Sequence, residues 1–201
     1  MIPVGITREG AFVLEDDDPS KFPLDAAHLP EVADNGTRVL WPEPGGDRTL
    51  RVVRQDGTVE GFGEIDIVLP ILHGTHGEDG TIQGYFDTLE VPYAGGGVLD
   101  SALCMDKHFM KITLRAAGLS VAPGITVRSR EWERDAASVR ASAVDLGMPL
   151  FVKPARAGSS VGVSKVERPD ELDAALAIAF AEDDKVLIES GVVGRCLLYT
   201  S

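Results

Sequence analysis

The residues best suited to chemistry lie between Phe151 and Lys165, in the run FVKPARAGSSVGVSK. An apolar strand pattern at Leu150, Phe151 and Val152 stops where Pro154 removes a backbone donor, so Lys153 is delivered at a strand end. Small residues from Ala155 to Ser160 follow, with amides that an anion can approach closely and with Gly158 free to take unusual dihedral angles. A cation beside such a loop can hold a phosphate while the loop covers it. The run is not a Walker A loop, since no Gly-Lys-Ser or Gly-Lys-Thr is present, and no G-x-G-x-x-G follows a strand. Taken alone, it reads equally as a β-hairpin with a mobile glycine-serine turn and a solvated lysine.

A second polar loop, HGTHGEDGT at residues 73–81, sits between an apolar run and a helix pattern. The run from Asp66 to Leu72 suits a central strand covered on both faces, although Pro70 costs it one ladder bond. Ile82, Tyr85, Phe86 and Leu89 recur at helical spacing. The loop therefore joins a strand's carboxyl end to a helix's amino end, the junction at which open α/β sheets bind ligands. His73 faces that cleft, although a lone histidine is often a structural residue. Glu78 and Asp79 suit helix capping and dipole compensation.

The elements that must position these loops can be read in order. Val4 to Leu14 forms a hairpin turning at Arg8 to Gly10, residues 15–37 are mostly loop, and Arg38 to Trp41 and Leu50 to Val53 are strands. Gln55-Asp-Gly-Thr58 predicts a two-residue hairpin turn. Val91 to Ala94 is a short strand, and Gly95 to Gly97 a hinge or domain boundary. A helix capped by Asp100 or Ser101 and ended by Gly118 carries an apolar face, with Lys107, Lys111 and Arg115 on the opposite stripe. Each of these cations is expected at a solvated surface, yet with Lys153 and Arg156 they could make a local basic pocket. A second amphipathic helix covers Glu131 to Leu146, a third runs from about Asp170 to Ala181, and Lys185 to Glu189 is an apolar strand ending in a carboxylate. The order after residue 118 is an α+β pattern rather than a doubly wound sheet.

Composition narrows the partners. The 201 residues carry a formal charge of −13, which argues against broad adhesion to nucleic acid or an anionic membrane. No window approaches the roughly 20 apolar residues of a membrane span. Cys104 and Cys196 lack metal-ligand spacing and read as reduced thiols of a cytoplasmic protein.

Four motifs in order give the chain a family likeness: HGTHGEDGTIQG at 73–84, PYAGGG at 92–97, SALCMDK at 101–107 and FVKPARAGSSVG at 151–162. Together they resemble the D-alanine:D-alanine ligases of the ATP-grasp superfamily, from about residue 4 to residue 195. The resemblance implies an α/β and α+β fold: a partial amino-terminal substrate domain at 1–97 and a central ATP-grasp nucleotide-binding subdomain at 98–195. Residues 196–201 match nothing in the pattern. It implies a reaction in which ATP phosphorylates the carboxylate of one D-alanine and the amine of a second attacks the acyl phosphate, for peptidoglycan precursor synthesis. A D-alanine:D-lactate or D-alanine:D-serine ligase, or a non-catalytic nucleotide-binding module, would share these motifs.

By the same resemblance Lys107 and Lys153 contact ATP phosphates, and Gly158, Ser159 and Ser160 close over the transferring group. Glu189, Ser190 and Val192 lie beside the adenine, and His73 faces the first D-alanine with Glu78 supporting its loop. His73, Lys153 and Ser159 are the expected catalytic residues. The family's earlier Gly-Gly-x-Ser-x-Glu loop and its later acidic and asparagine ligands for magnesium or manganese have no counterpart in this sequence, so no metal ligand is expected among its residues. The 201-residue chain is therefore expected to be inactive by itself, and the intact protein to be a cytoplasmic homodimer.

Overall fold

A computed structural model describes residues 1–23 and 30–194. The tail at 196–201, with Cys196, lies outside the described residues, whereas Cys104 is a free, exposed thiol. The chain divides into two compact units, residues 1–70 with 83–95, and residues 71–82 with 96 onward.

The first unit is built from hairpins. Strands β1 (Val4–Ile6) and β2 (Phe12–Leu14) pair antiparallel, as do β3 (Arg38–Leu40), β4 (Thr49–Val53) and β5 (Val59–Glu64) in a sheet of order β3-β4-β5. Val39, Leu50 and Val52 are buried at its centre, with Phe12, Trp41 and Phe62 packed against them. Helix α1 (Thr81–Thr88) contributes Phe86, whose ring lies 5.0 Å from that of Trp41.

Two expectations fail here. The turn between β4 and β5 is a three-residue loop, closed by Arg54 N–H to Thr58 C=O at 2.8 Å, with Gly57 at φ 83°. Asp56 causes the difference: its carboxylate accepts from both Thr58 N–H (2.9 Å) and Thr58 hydroxyl (2.7 Å), drawing Thr58 into the turn. The apolar run Asp66–Leu72 is not a covered central strand, and Val91–Ala94 is no strand either. Among the described residues they share one parallel bridge, Val68 to Tyr93, while Ile67 and Leu69 remain more than half exposed. Pro70 has no N–H to extend that ladder.

The second unit holds the α+β pattern read from the sequence. Helices α2 (Val98–Met105) and α3 (Lys107–Ala116) precede β6 (Gly124–Arg128), α4 (Ser129–Arg134), α5 (Ala136–Val144), β7 (Leu150–Pro154), β8 (Ser164–Val166), α6 (Leu172–Glu182) and β9 (Lys185–Ser190). The strands make one antiparallel sheet of order β6-β9-β7-β8. Alternation sends Val127, Leu150, Val152, Val166, Val186 and Ile188 to one face, where Leu172, Ala175, Leu176 and Ala179 of α6 cover them. Each fully buried Leu, Ile or Val here contributes about 1.5–3 kcal/mol.

Each of the first two helices expected in this region is two helices. Asp106 breaks the first, its carboxylate accepting from His108 N–H at 3.0 Å as the N-cap of α3. Asp135 breaks the second in the same way, accepting from Ser138 N–H at 3.0 Å. An aspartate that satisfies the orphan amides ahead of it starts a new helix and cannot continue the old one. The α2 cap is Gly97 rather than Asp100 or Ser101, with Asp100 accepting the Gly97 N–H from inside the helix.

Candidate functional site

The sheet face opposite the α6 core carries charge. Phe151 pairs with Glu189 and Lys153 with Leu187, so Lys153 and Glu189 are diagonal neighbours on this face. Their side chains meet, Nζ to Oε2, at 2.5 Å. Helix α3 brings Lys111 to the other carboxylate oxygen, Oε1, in a second ion pair. Glu189 is only 4% exposed, and two ammonium groups compensate it.

Lys107 completes the cluster from the first turn of α3. Its main-chain N–H donates to Ala155 C=O at 3.0 Å, and its ammonium to the carbonyls of Pro154 (3.2 Å) and Ala157 (2.5 Å). Burial pushes its pKa down, and the neighbouring Lys153 charge adds to that, opposed by Asp183, Glu189 and Asp106. The base of α3 is fixed in turn by a buried ion pair between Asp106 and Lys185, with the Lys185 ammonium 4.7 Å above the Phe109 ring. Two lysines thus share one carboxylate, and a third, Lys107, is held by backbone carbonyls beside them at the Ala155–Ser160 loop. Such a surplus of fixed positive charge suits a polyanion.

The loop is shaped differently from its sequence expectation. Gly158 is not the residue in the left-handed region. Ser159 (φ 47°) and Ser160 (φ 60°) are, both exposed. That conformation costs a non-glycine residue roughly 1–2 kcal/mol, and such cost concentrates where function fixes a backbone.

Arg156 leaves the basic cluster. Its guanidinium binds Asp183 and Asp184, each at 2.6 Å, and its N–H donates to Asp183 at 2.8 Å. Burial alone would push the Asp183 carboxyl up, but the bonds from Arg156 and from the Lys185 and Arg156 amides hold it down at about 2. Arg156 is therefore an anchor for the loop's base. Arg115, by contrast, lines the same cleft of about 210 Å³ as Lys111, Thr126 and Glu189. Gly124 makes room there: a Cβ on it would lie 2.6 Å from Ile188 C=O and 2.9 Å from Glu189 Cγ.

The remaining expected residues are placed as follows. Ser190 is at the end of β9, its hydroxyl donating to Leu146 C=O at 3.0 Å and its N–H to Pro123 C=O. Val192 follows, 69% exposed. Glu78 accepts the Gly74 N–H at 2.6 Å, tightening the loop that presents His73. Asp79 accepts from His76 N–H (2.9 Å) and from Thr81 N–H (3.0 Å) at the start of α1. Burial would raise the Asp79 pKa, but hydrogen bonds from the Thr81 hydroxyl and from the His76 and Thr81 amides lower it on balance. His73 is exposed, and among the described residues no hydrogen bond or ion pair joins it to the lysine cluster.

The sequence assigned Lys111 to a solvated stripe, and the structure reverses this. Lys107 and Lys111 face the sheet, while Phe109 and Ile112 of the apolar stripe are nearly half exposed. The available signal was the spacing of four between Lys107 and Lys111, which puts both on one helix face.

Comparison with known proteins bears on what this site belongs to. Residues 1–96 match the family described as D-ala D-ala ligase N-terminus, and residues 113–198 the one described as D-ala D-ala ligase C-terminus. The chain belongs to the D-alanine–D-alanine ligase family. The D-alanine–D-alanine ligase of Paenarthrobacter aurescens is 49% identical over 195 residues, covering 97% of this chain and 52% of that protein. That of Arthrobacter sp. is 47% identical, with 97% and 51% covered. Among solved structures, the VanG D-Ala:D-Ser ligase of Enterococcus faecalis aligns with TM-score 0.76 at 34% identity, covering 96% of this chain and 53% of that one. The Bacillus anthracis D-alanine–D-alanine ligase complexed with ATP aligns over 65% of this chain and 42% of its own, with TM-score 0.55 and 37% identity. The chain spans about half the length of the curated ligases it matches.

Within this ligase family a divalent metal is implied. Among the described residues no group of three or more His, Cys, Asp or Glu side chains could hold one.

Proposed function

We propose that this chain supplies the nucleotide-holding part and some of the substrate-holding part of an ATP-dependent D-alanine–D-alanine ligase. The observation that carries the reading is the convergence of Lys111 and Lys153 on one buried carboxylate, with Lys107 held by the backbone carbonyls of the adjoining small-residue loop. In the reaction, the γ-phosphoryl group of ATP passes to the carboxylate of the first D-alanine, releasing ADP. The amine of the second D-alanine then attacks the acyl phosphate, and inorganic phosphate leaves as the peptide bond forms.

Lys153 and Lys107 would hold the phosphates and stabilise the charge that develops in transfer. Gly158, Ser159 and Ser160 would close over the transferring group and exclude water that would otherwise hydrolyse the acyl phosphate. Glu189, Ser190 and Val192 would border the adenine. His73 would orient the first D-alanine, with Glu78 bracing its loop. Residues 1–97 would belong to the substrate domain and 98–195 to the nucleotide subdomain. We place the protein in the cytoplasm, as a homodimer serving peptidoglycan precursor synthesis. No described helix is long and apolar enough to cross a membrane.

Calorimetric titration tests the reading. ATP should bind saturably, and GTP or CTP at least about tenfold more weakly, a difference of about 1.4 kcal/mol. Equal affinity for all three would contradict an adenine site at Glu189. With D-alanine added to the whole protein, ADP and the dipeptide should form together.

A further inference from the structure

Glu189 is held by two lysines of unlike standing. Lys153 projects from a strand end beside the loop, its side chain 24% exposed, and among the described residues its ammonium has no ion-pair or hydrogen-bond partner besides Glu189. Lys111 is 17% exposed and doubly tied, to Glu189 and to Ala122 C=O at 3.3 Å, just before β6. Glu189 Oε1 is buried and accepts no hydrogen bond, so the Lys111 charge is what compensates it. Gly124 lies against the carboxylate's stem, where a Cβ would come within 2.9 Å of Glu189 Cγ.

A lysine that goes to a polyphosphate must first leave its carboxylate. A buried carboxylate stripped of its only cation is strongly disfavoured, because its desolvation is no longer compensated. With a second cation already seated, the departure is tolerable. We propose that Lys111 is the resident counter-ion of Glu189, the positioning residue that frees Lys153 to move from the carboxylate to a bound polyphosphate. This rests on the nucleotide reading above. It assigns Lys111 no contact with the phosphates: its effect on them runs through Glu189 and Lys153.

Two measurements test it. The first needs no nucleotide: thermal melting of Lys111→Met, Lys153→Met, the double variant, and the double variant with Glu189→Gln. Each single change should lower the melting temperature by a few degrees, the double change by more than their sum, and Glu189→Gln should recover the excess. Additive shifts would overturn the shared-carboxylate claim. The second compares ATP with adenosine on the wild-type chain, Lys111→Met and Lys111→Arg. ATP affinity should fall at least about tenfold in Lys111→Met while adenosine affinity changes less than about threefold, with Lys111→Arg restoring most of the loss. Equal losses on both ligands would mean a merely structural lysine and overturn the proposal. A wild-type chain that binds neither ligand sinks the nucleotide reading and the exchange step with it, and the melting cycle still decides whether the two lysines share Glu189.

Discussion

Lys153 of β7 and Glu189 of β9 meet at 2.5 Å across a diagonal of the antiparallel sheet, on the face turned away from the α6 core. The register of two apolar strands thus fixes a cation and an anion side by side, and a shift of one residue in either strand would send one of them into the core. This contact links the sheet's architecture to the proposed nucleotide chemistry.

Gly124 is expected to tolerate no side chain. The Cβ of Gly124→Ala would meet Ile188 C=O at 2.6 Å and Glu189 Cγ at 2.9 Å, so β6 or the carboxylate must move. Overpacking of this kind costs about 1–3 kcal/mol. Urea unfolding should show that loss, together with weaker ATP binding.

Asp106 both caps α3 and compensates the buried Lys185. Asp106→Ala leaves Lys185 without its ion-pair partner and should cost about 3–5 kcal/mol. Lys185→Met keeps the cap, so it should cost less. Chemical denaturation of both variants checks the order, and equal losses would contradict the double role of Asp106.

Asp183 sets an acid limit. Its pKa lies at about 2 in the folded chain against 3.8 for the free side chain. A depressed carboxyl contributes stability above its unfolded pKa and loses it as pH falls through the folded value, here between about 4 and 2. Arg156→Gln removes the main partner, so acid unfolding should begin at higher pH while stability at pH 7 falls. Melting curves from pH 2 to pH 7 would show it, and an unchanged acid midpoint would contradict the assignment.

The strain at Ser159 and Ser160 is directly testable. Ser160→Gly relieves a φ of 60° and should raise stability by up to about 1 kcal/mol, whereas Ser160→Val should lower it. If the loop serves phosphoryl transfer, the more stable Gly variant should turn over more slowly. Melting temperature of the chain and ADP release by the whole protein carrying the same substitution decide this together.

Much of the second unit was legible in the sequence because Leu150–Val152 and Lys185–Glu189 are short apolar runs of strand length, and both are strands. The helix breaks were not legible, since the apolar periodicity runs on through Asp106 and Asp135 while the caps interrupt the backbone. Lys111 was misread because its partner, Glu189, is distant in the chain and only the fold brings them together. At Asp66–Leu72 hydrophobicity alone suggested a covered strand, but pairing, which hydropathy does not encode, stops at one bridge. Gly158 drew attention by residue type, while the positive dihedrals fall on the two serines after it. The motifs nonetheless carried the family likeness correctly, because they are local in sequence.

The most direct test of the central claim is calorimetric titration of ATP into the wild-type 201-residue chain and its Lys153→Met variant. Lys111 keeps Glu189 compensated in the variant, so the fold should survive, its melting temperature lower by only a few degrees, while ATP affinity falls at least about tenfold, or about 1.4 kcal/mol. ATP affinity that is undetectable in the wild type, or the same in both proteins, would contradict the account.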